Sequence, residues 1–240
     1  MQFTRSSGKR FYKRLFLVGV EGTRTECDYF SMFNSAYVHV IPVTSREGNS
    51  PKKVLSALKA AVPRFQLRDG DYLWVVVDRD EWPEEEIELC RMWAQDPTES
   101  PGLCKGFSLS NPKFEFWLLL HFEDGVQHTT SKACLEALCA HLPEYDKSLV
   151  RSDFGEERIS AAIQRAKVLL GTDDPRDWPR EAGKTTVFAL CEAIRQVDAE
   201  EQAKMMSDLL GGATDEQCVR WFHQRRSSIS MRGYRRDIDA

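Results

Sequence analysis

The stretch Tyr72–Val77, YLWVVV, is an unbroken apolar run that stops abruptly at Asp78-Arg79-Asp80. A run without polar alternation suits a strand covered on both faces, as in the middle of a parallel sheet. The segments around it agree. Arg14–Val20 (RLFLVGV) is another short run of strand formers, closed by Glu21-Gly22, and Thr23–Ala36 then spaces Tyr29, Phe30 and Phe33 along one helical face. Tyr37–Val43 alternates as a strand, and Pro42 places it near a sheet edge or a strand end. Ser50-Pro51 supplies an N-cap with proline at the first helical position, and Val54, Leu55, Leu58, Ala61 and Val62 continue a helical stripe. Pro83–Gln95 reads as a helix, Lys105–Ser110 as a fourth strand, and Asn111-Pro112 opens an aromatic helix through Phe122. The order βαβαβαβα predicts an α/β fold, a parallel sheet flanked by helices with right-handed crossovers.

Beyond residue 125 the strand signals stop. Ser131–His141, Glu157–Leu170 and Lys184–Val197 read as helices, and Gly211-Gly212 looks like a break before a basic tail. The predicted organisation is therefore an α/β domain over 1–125, a helical extension packed on it over 126–210, and a basic aromatic tail over 211–240. The extension carries apolar stripes, with Leu135, Leu138, Ile159, Ile163, Ala166, Leu170, Val187, Leu190 and Ile194 among them, too broad to leave solvated. With 42% hydrophobic and 29% charged residues the chain is of globular and not disordered composition. No apolar stretch is long enough to span a membrane, and no signal peptide opens the sequence. Seven cysteines, odd in number and without a CxxC pair, read as free thiols of a cytoplasmic protein.

Charge is segregated. The net charge is −4, yet the first twenty residues hold five basic residues and no acid, and Arg220–Arg236 holds six arginines and no acid. Between them, Asp78–Glu88 holds seven acids and one arginine. Basic ends around an acidic middle suit a polyanion that meets the acids through metal ions; solvated tails are the plainer alternative.

Ligands of an open parallel sheet bind beyond the carboxyl ends of its strands. Glu21 directly follows the first predicted strand, and Asp78 and Asp80 directly follow the third. On neighbouring strands the three carboxylates converge, a hard-oxygen set suited to Mg²⁺ or Mn²⁺, whose charge offsets their repulsion. Glu115 falls in the first turn of the helix after Asn111-Pro112. The helix dipole alone accounts for an acid there, and completing a second metal site or orienting a ligand is the other reading. Glu26 reads as a first-helix charge. His121 lies about 240° round the helix from Glu115 and reads as a satisfied, partly buried histidine. Other motifs fail: Gly183-Lys184-Thr185 lacks the upstream glycine of a phosphate loop, and the five histidines have no metal-ligand spacing.

Three blocks, EGTRTECDYF (Glu21–Phe30), VVVDRDEW (Val75–Trp82) and SNPKFEFWLLLHF (Ser110–Phe122), stand out. On them the sequence resembles the RloB family, Toprim-domain proteins of bacterial anti-phage and abortive-infection loci, related to OLD-type nucleases. The resemblance continues more weakly through LPEYDKS (Leu142–Ser148) and KTTVFAL (Lys184–Leu190), so it covers about the first two hundred residues. It implies a Toprim (Rossmann-like) fold and a role for Glu21, Asp78 and Asp80 as metal-binding carboxylates. Lys147 and Lys184 are candidate phosphate contacts, with Lys184 and Glu115 grouped with the catalytic acids. Arg14, Lys147, Arg220, Arg225 and Arg226 are candidate contacts to a nucleic-acid backbone.

Two function classes follow. The first is a metal-dependent nuclease acting in phage defence beside an ABC- or SMC-like ATPase; the second is a non-catalytic Toprim module that binds nucleic acid or scaffolds that ATPase. The acidic triad favours the first, since without metal its carboxylates repel. DNA against RNA, the trigger and the oligomeric state are left open. In the tail, Trp221, Phe222 and Tyr234 among arginines suit either single-stranded nucleic acid or a protein interface, with a lean towards the interface.

Overall fold

The structure is a computed structural model whose described residues are 12–80, 82–123, 128–171 and 178–209. The apolar run YLWVVV forms β3 (Tyr72–Asp78), the middle strand of a five-stranded sheet. β1 (Arg14–Val20) and β4 (Cys104–Asn111) flank it, both parallel to it, and β2 (Val38–Thr44) pairs with β1 at the edge, where Pro42 can be accommodated. The order is β2-β1-β3-β4-β5. From β1 the chain therefore winds first to one side and then to the other, and the reversal falls between the ends of β1 and β3.

The crossovers are helical: α1 (Thr25–Ser31), α2 (Pro51–Ala61) and α3 (Glu84–Gln95). Alternate residues of the strands feed two cores. On one face Leu17, Leu73, Val75 and Val77 pack with Val54 and Leu58 of α2 and Ile87 and Trp93 of α3. Removing each such aliphatic side chain from water contributes about 1.5–3 kcal/mol. On the other face α4 (Phe114–Leu119) is buried at every position, with Tyr29 of α1 meeting Phe114, Trp117 and His121 edge-on.

After residue 128 come α5 (Ser131–His141), α6 (Glu156–Leu170), β5 (Lys184–Thr185) and α7 (Val187–Leu209). α5 and α6 pack on α4, and Phe154 between them sits against Tyr29 and Phe122. Leu135, placed by the sequence on a buried stripe, is instead exposed. The compact unit runs through Arg195, and from Gln196 onward the chain belongs to a second unit. The expected tail over 211–240, with Arg220, Arg225 and Arg226, lies outside the described residues.

The sequence reading began the last helix at Lys184; the chain is extended there. β5 pairs antiparallel with the end of β4, and the Thr186 side chain accepts the Leu109 N–H at 2.9 Å while its own N–H donates to the Leu109 carbonyl at 2.9 Å. Two β-branched threonines that satisfy the β4 edge hold the chain extended, so the helix starts at Val187. Among the described residues no helix is long and apolar enough to cross a membrane.

Candidate metal centre

Glu21, Asp78 and Asp80 stand where the winding reverses: Glu21 follows β1, Asp78 is the last residue of β3 and Asp80 lies just past it. Their carboxylate oxygens lie within 4.8 Å of one another. Glu21 Oε1 also accepts the Asp78 backbone N–H at 2.9 Å, which ties the two strand ends together. Asp80 adopts a left-handed backbone (φ +31°), and its N–H donates to the Pro112 carbonyl at 3.1 Å. Aspartate is among the few residues that tolerate this conformation, and the turn leaves Asp80 beside Asp78.

The triad forms one wall of a cleft of ≈ 310 Å³ that two further acids share, Glu26 and Glu115. Both are almost fully buried, at 7% and 4% exposed. Glu26 folds back from α1 so that its Oε1 accepts the Gly22 N–H at 2.9 Å. A Cβ at residue 22 would stand 2.0 Å from Glu26 Oε2, so the Glu21-Gly22 turn is the space the Glu26 carboxylate occupies. Glu115 accepts from Lys147 Nζ at 2.9 Å and from the Tyr145 hydroxyl at 3.3 Å. The segment that delivers Lys147 is fastened to α1. Thr25 Oγ1 donates to the Lys147 carbonyl at 2.9 Å, Arg24 donates to Ser148 and to the Asp146 carbonyl, and the Leu149 N–H donates to Asp28 at 3.2 Å.

These burials have an electrostatic consequence. Burial, with the charges of Asp80 and Glu26 added, pushes the Glu21 carboxyl up to about 8 against the pull of the Asp78 N–H. Burial, then Glu21, Glu26, Glu115 and Asp80, holds the Asp78 carboxyl well above the carboxylate range. Glu26 is raised by burial first, with Glu115 adding to it. Lys147 is raised by its hydrogen bond to Glu115. Crowded carboxylates in a poorly solvated cleft resist full ionisation, and a cation removes that conflict. Three carboxylate oxygens within 4.8 Å of one another are the hard donor set that a divalent ion such as Mg²⁺ or Mn²⁺ would take, drawn slightly closer together.

The model of the family described as RloB-like protein matches residues 16–194. The chain belongs to the RloB-like family. No curated protein and no solved structure matches it. All five sequence blocks that carry the resemblance fall inside the matched span of this RloB-like chain, and the arginine-rich tail falls beyond it.

Of the residues expected at the site, the structure brings together Glu21, Asp78, Asp80, Glu115 and Lys147. Lys184 does not line the cleft; on β5 its ammonium pairs with Glu181 at 2.8 Å. Arg14 opens β1, at the end of the sheet opposite the acids, and donates to the Asp69 carbonyl at 2.8 Å. Neither position suits contact with a phosphate in the cleft. Glu26, read from the sequence as a first-helix charge, is a buried wall of the RloB-like cleft. Lys113 and Asn49 also line it, and the sequence reading missed both. Lys113 follows Asn111-Pro112 within one of the matching blocks, which was the available signal.

Proposed function

We propose that this RloB-like protein is a metal-dependent phosphodiesterase of Toprim type, cutting nucleic acid at the Glu21–Asp78–Asp80 cleft. The observation that carries this reading is the convergence of three carboxylates, within 4.8 Å, at the strand reversal of an open parallel sheet. When bound, a divalent ion supplies the charge that lets water ionise near neutral pH and that offsets charge on a leaving oxygen. The chain's own part is positional. The Asp78 N–H holds Glu21, the left-handed turn holds Asp80, and Gly22 keeps Glu26 close by. Lys113 lines the same cleft and has no carboxylate partner among the described residues. It is therefore the cation best suited to steady a phosphoryl oxygen, whereas Lys147 is committed to Glu115. A role in phage defence and an ABC- or SMC-like ATPase partner belong to the same proposal and rest on the family membership.

The test pairs activity with metal binding. Wild-type protein should cleave DNA or RNA oligonucleotides with Mg²⁺ or Mn²⁺ and stop in EDTA. Asp78→Asn and Asp80→Asn should each abolish cleavage and the rise in melting temperature expected with Mn²⁺. Asp78→Asn should also melt no lower than wild type without metal, because it replaces an acid whose ionisation the buried cluster opposes with a neutral side chain. Cleavage that survives EDTA or Asp78→Asn would refute the proposal.

A further inference from the structure

A second concavity of this sheet edge is basic. The end of β2 at Val43 and Thr44, the loop through Glu47 and the adjoining side of α2 enclose a groove of ≈ 230 Å³. Small side chains, Ser56, Ala57 and Ala60, line the α2 side. Arg46, Lys53 and Arg64 line it too, against one acid, Glu47. All three cations are exposed. Lys53 Nζ donates to the Glu47 backbone carbonyl at 2.7 Å, which positions the ammonium without neutralising it. Gly48 makes room for this contact: at φ +122°, its missing Cβ would lie 2.9 Å from Lys53 Nζ. Among the described residues Arg46 and Arg64 have no carboxylate partner.

The groove and the acidic cleft are neighbours. Thr44, at the end of β2, is the register partner of Val20, the residue before Glu21. The loop after Thr44 serves both concavities, since Arg46 and Glu47 line the groove and Asn49 lines the cleft. The cations are also spread out. Lys53 and Arg64 are eleven residues apart along α2 and its final turn, roughly 16 Å at 1.5 Å per residue. That span exceeds a single phosphate, and exposed cations on a floor of small side chains suit a repeating, solvated polyanion.

We propose that this groove binds the sugar-phosphate backbone of a nucleic-acid strand that continues into the carboxylate cleft. Arg46, Lys53 and Arg64 each meet a phosphate. The part of the inference concerning the cleft rests on the proposed phosphodiesterase reading; backbone binding in the groove is measurable without cleavage. The arrangement also supplies what an acidic active site lacks, a cationic surface beside it that offsets the repulsion of a polyanion.

The experiment uses the full chain in EDTA, with labelled single-stranded and duplex oligonucleotides followed by fluorescence anisotropy across about 50–200 mM salt. The variant is R46A/K53A/R64A, its melting temperature and its response to Mn²⁺ serving as controls for fold and metal centre. Affinity should fall about tenfold or more, and the salt-dependence slope should drop by about two to three. The Mn²⁺-induced rise in melting temperature should be that of wild type. A triple variant that melts like wild type and binds with wild-type affinity and slope would overturn the groove. So would a wild-type protein that binds no nucleic acid. Groove-dependent binding without any cleavage in Mg²⁺ or Mn²⁺ would overturn the phosphodiesterase reading and leave the groove standing. Cleavage with groove-independent binding would do the reverse.

Discussion

His121, 2% exposed, sits with Nε2 at 3.1 Å from the Tyr29 hydroxyl and Nδ1 at 3.1 Å from the Trp117 and Leu118 carbonyls. Carbonyls only accept, so Nδ1 carries the proton and Nε2 accepts from Tyr29. Burial pushes its pKa down to about 3 from an ordinary value of 6.5. In the unfolded chain the ring takes up a proton as pH falls through 6.5; in the folded protein it does so only near 3. The stability that goes with the neutral ring is therefore complete above pH 6.5 and lost progressively as pH falls towards 3. Urea unfolding at a series of pH values should show wild type losing up to about 1.4 kcal/mol per pH unit more than His121→Gln across this window. Parallel curves would show that His121 titrates normally. The sequence disclosed Glu21, Asp78 and Asp80 because strand ends carry their own signal; the helical phase it assigned to His121 assumed a helix through Phe122, whereas α4 ends at Leu119 and the ring is buried by Tyr29, Trp117 and Phe154. Glu26 was hidden for a local reason: only the Gly22 turn folds its carboxylate inward, and an acid in a first helical turn looks the same buried or solvated. The Glu115–Lys147 pair, 2.9 Å across, joins separate segments, and no spacing rule reports it.

At the level of elements, Gly106 decides how β3 and β4 lie together. It is the register partner of Trp74, and a Cβ there would stand 2.4 Å from the indole ring. The ring lies across β4 and donates from Nε1 to Ser108 Oγ at 2.9 Å, itself bound to the Thr186 carbonyl. A rigid indole held at its far end cannot give way, so Gly106→Ala should lower stability by about 1–3 kcal/mol, read by urea unfolding. Trp74→Phe in the Gly106→Ala background should recover part of that loss, because the smaller ring makes room. No recovery would mean the cost lies in the backbone. The sequence disclosed β1 to β4 and their helices because long apolar periodicities survive in any context. It hid β5, whose two residues have no periodicity and whose extension depends on hydrogen bonds to β4. It also ran α4 on to Phe122, because an apolar, aromatic stretch does not mark where a helix ends.

For the whole molecule, α4 determines where the folding unit ends. Every residue from Phe114 to Leu119 is at most 4% exposed, and a helix buried all round needs cover on both sides. The sheet covers one side; α5, α6 and the chain at Phe154 cover the other, bringing Cys134, Leu138, Ala162 and Ile163 to full or near-full burial. The end of β4 depends on the same later segment. The Leu109 N–H, the Ser110 hydroxyl and the Asn111 side chain are satisfied by Thr186, Thr185 and the Pro179 and Arg180 carbonyls. A fragment of residues 1–125 would expose Trp117, Leu118 and their neighbours at about 1.5–3 kcal/mol each. It would also leave buried polar groups of β4 unpaired at about 1–3 kcal/mol each. Against a typical total stability of about 5–15 kcal/mol these losses decide the outcome. The fragment should show no cooperative thermal transition by circular dichroism and should bind a hydrophobic dye. Mn²⁺ should not rescue it, since Lys147, which answers the charge of Glu115, has been removed with the cover. A fragment that melts cooperatively, or whose melting temperature Mn²⁺ raises, would show that the sheet and its carboxylate cluster fold without the helices that enclose α4.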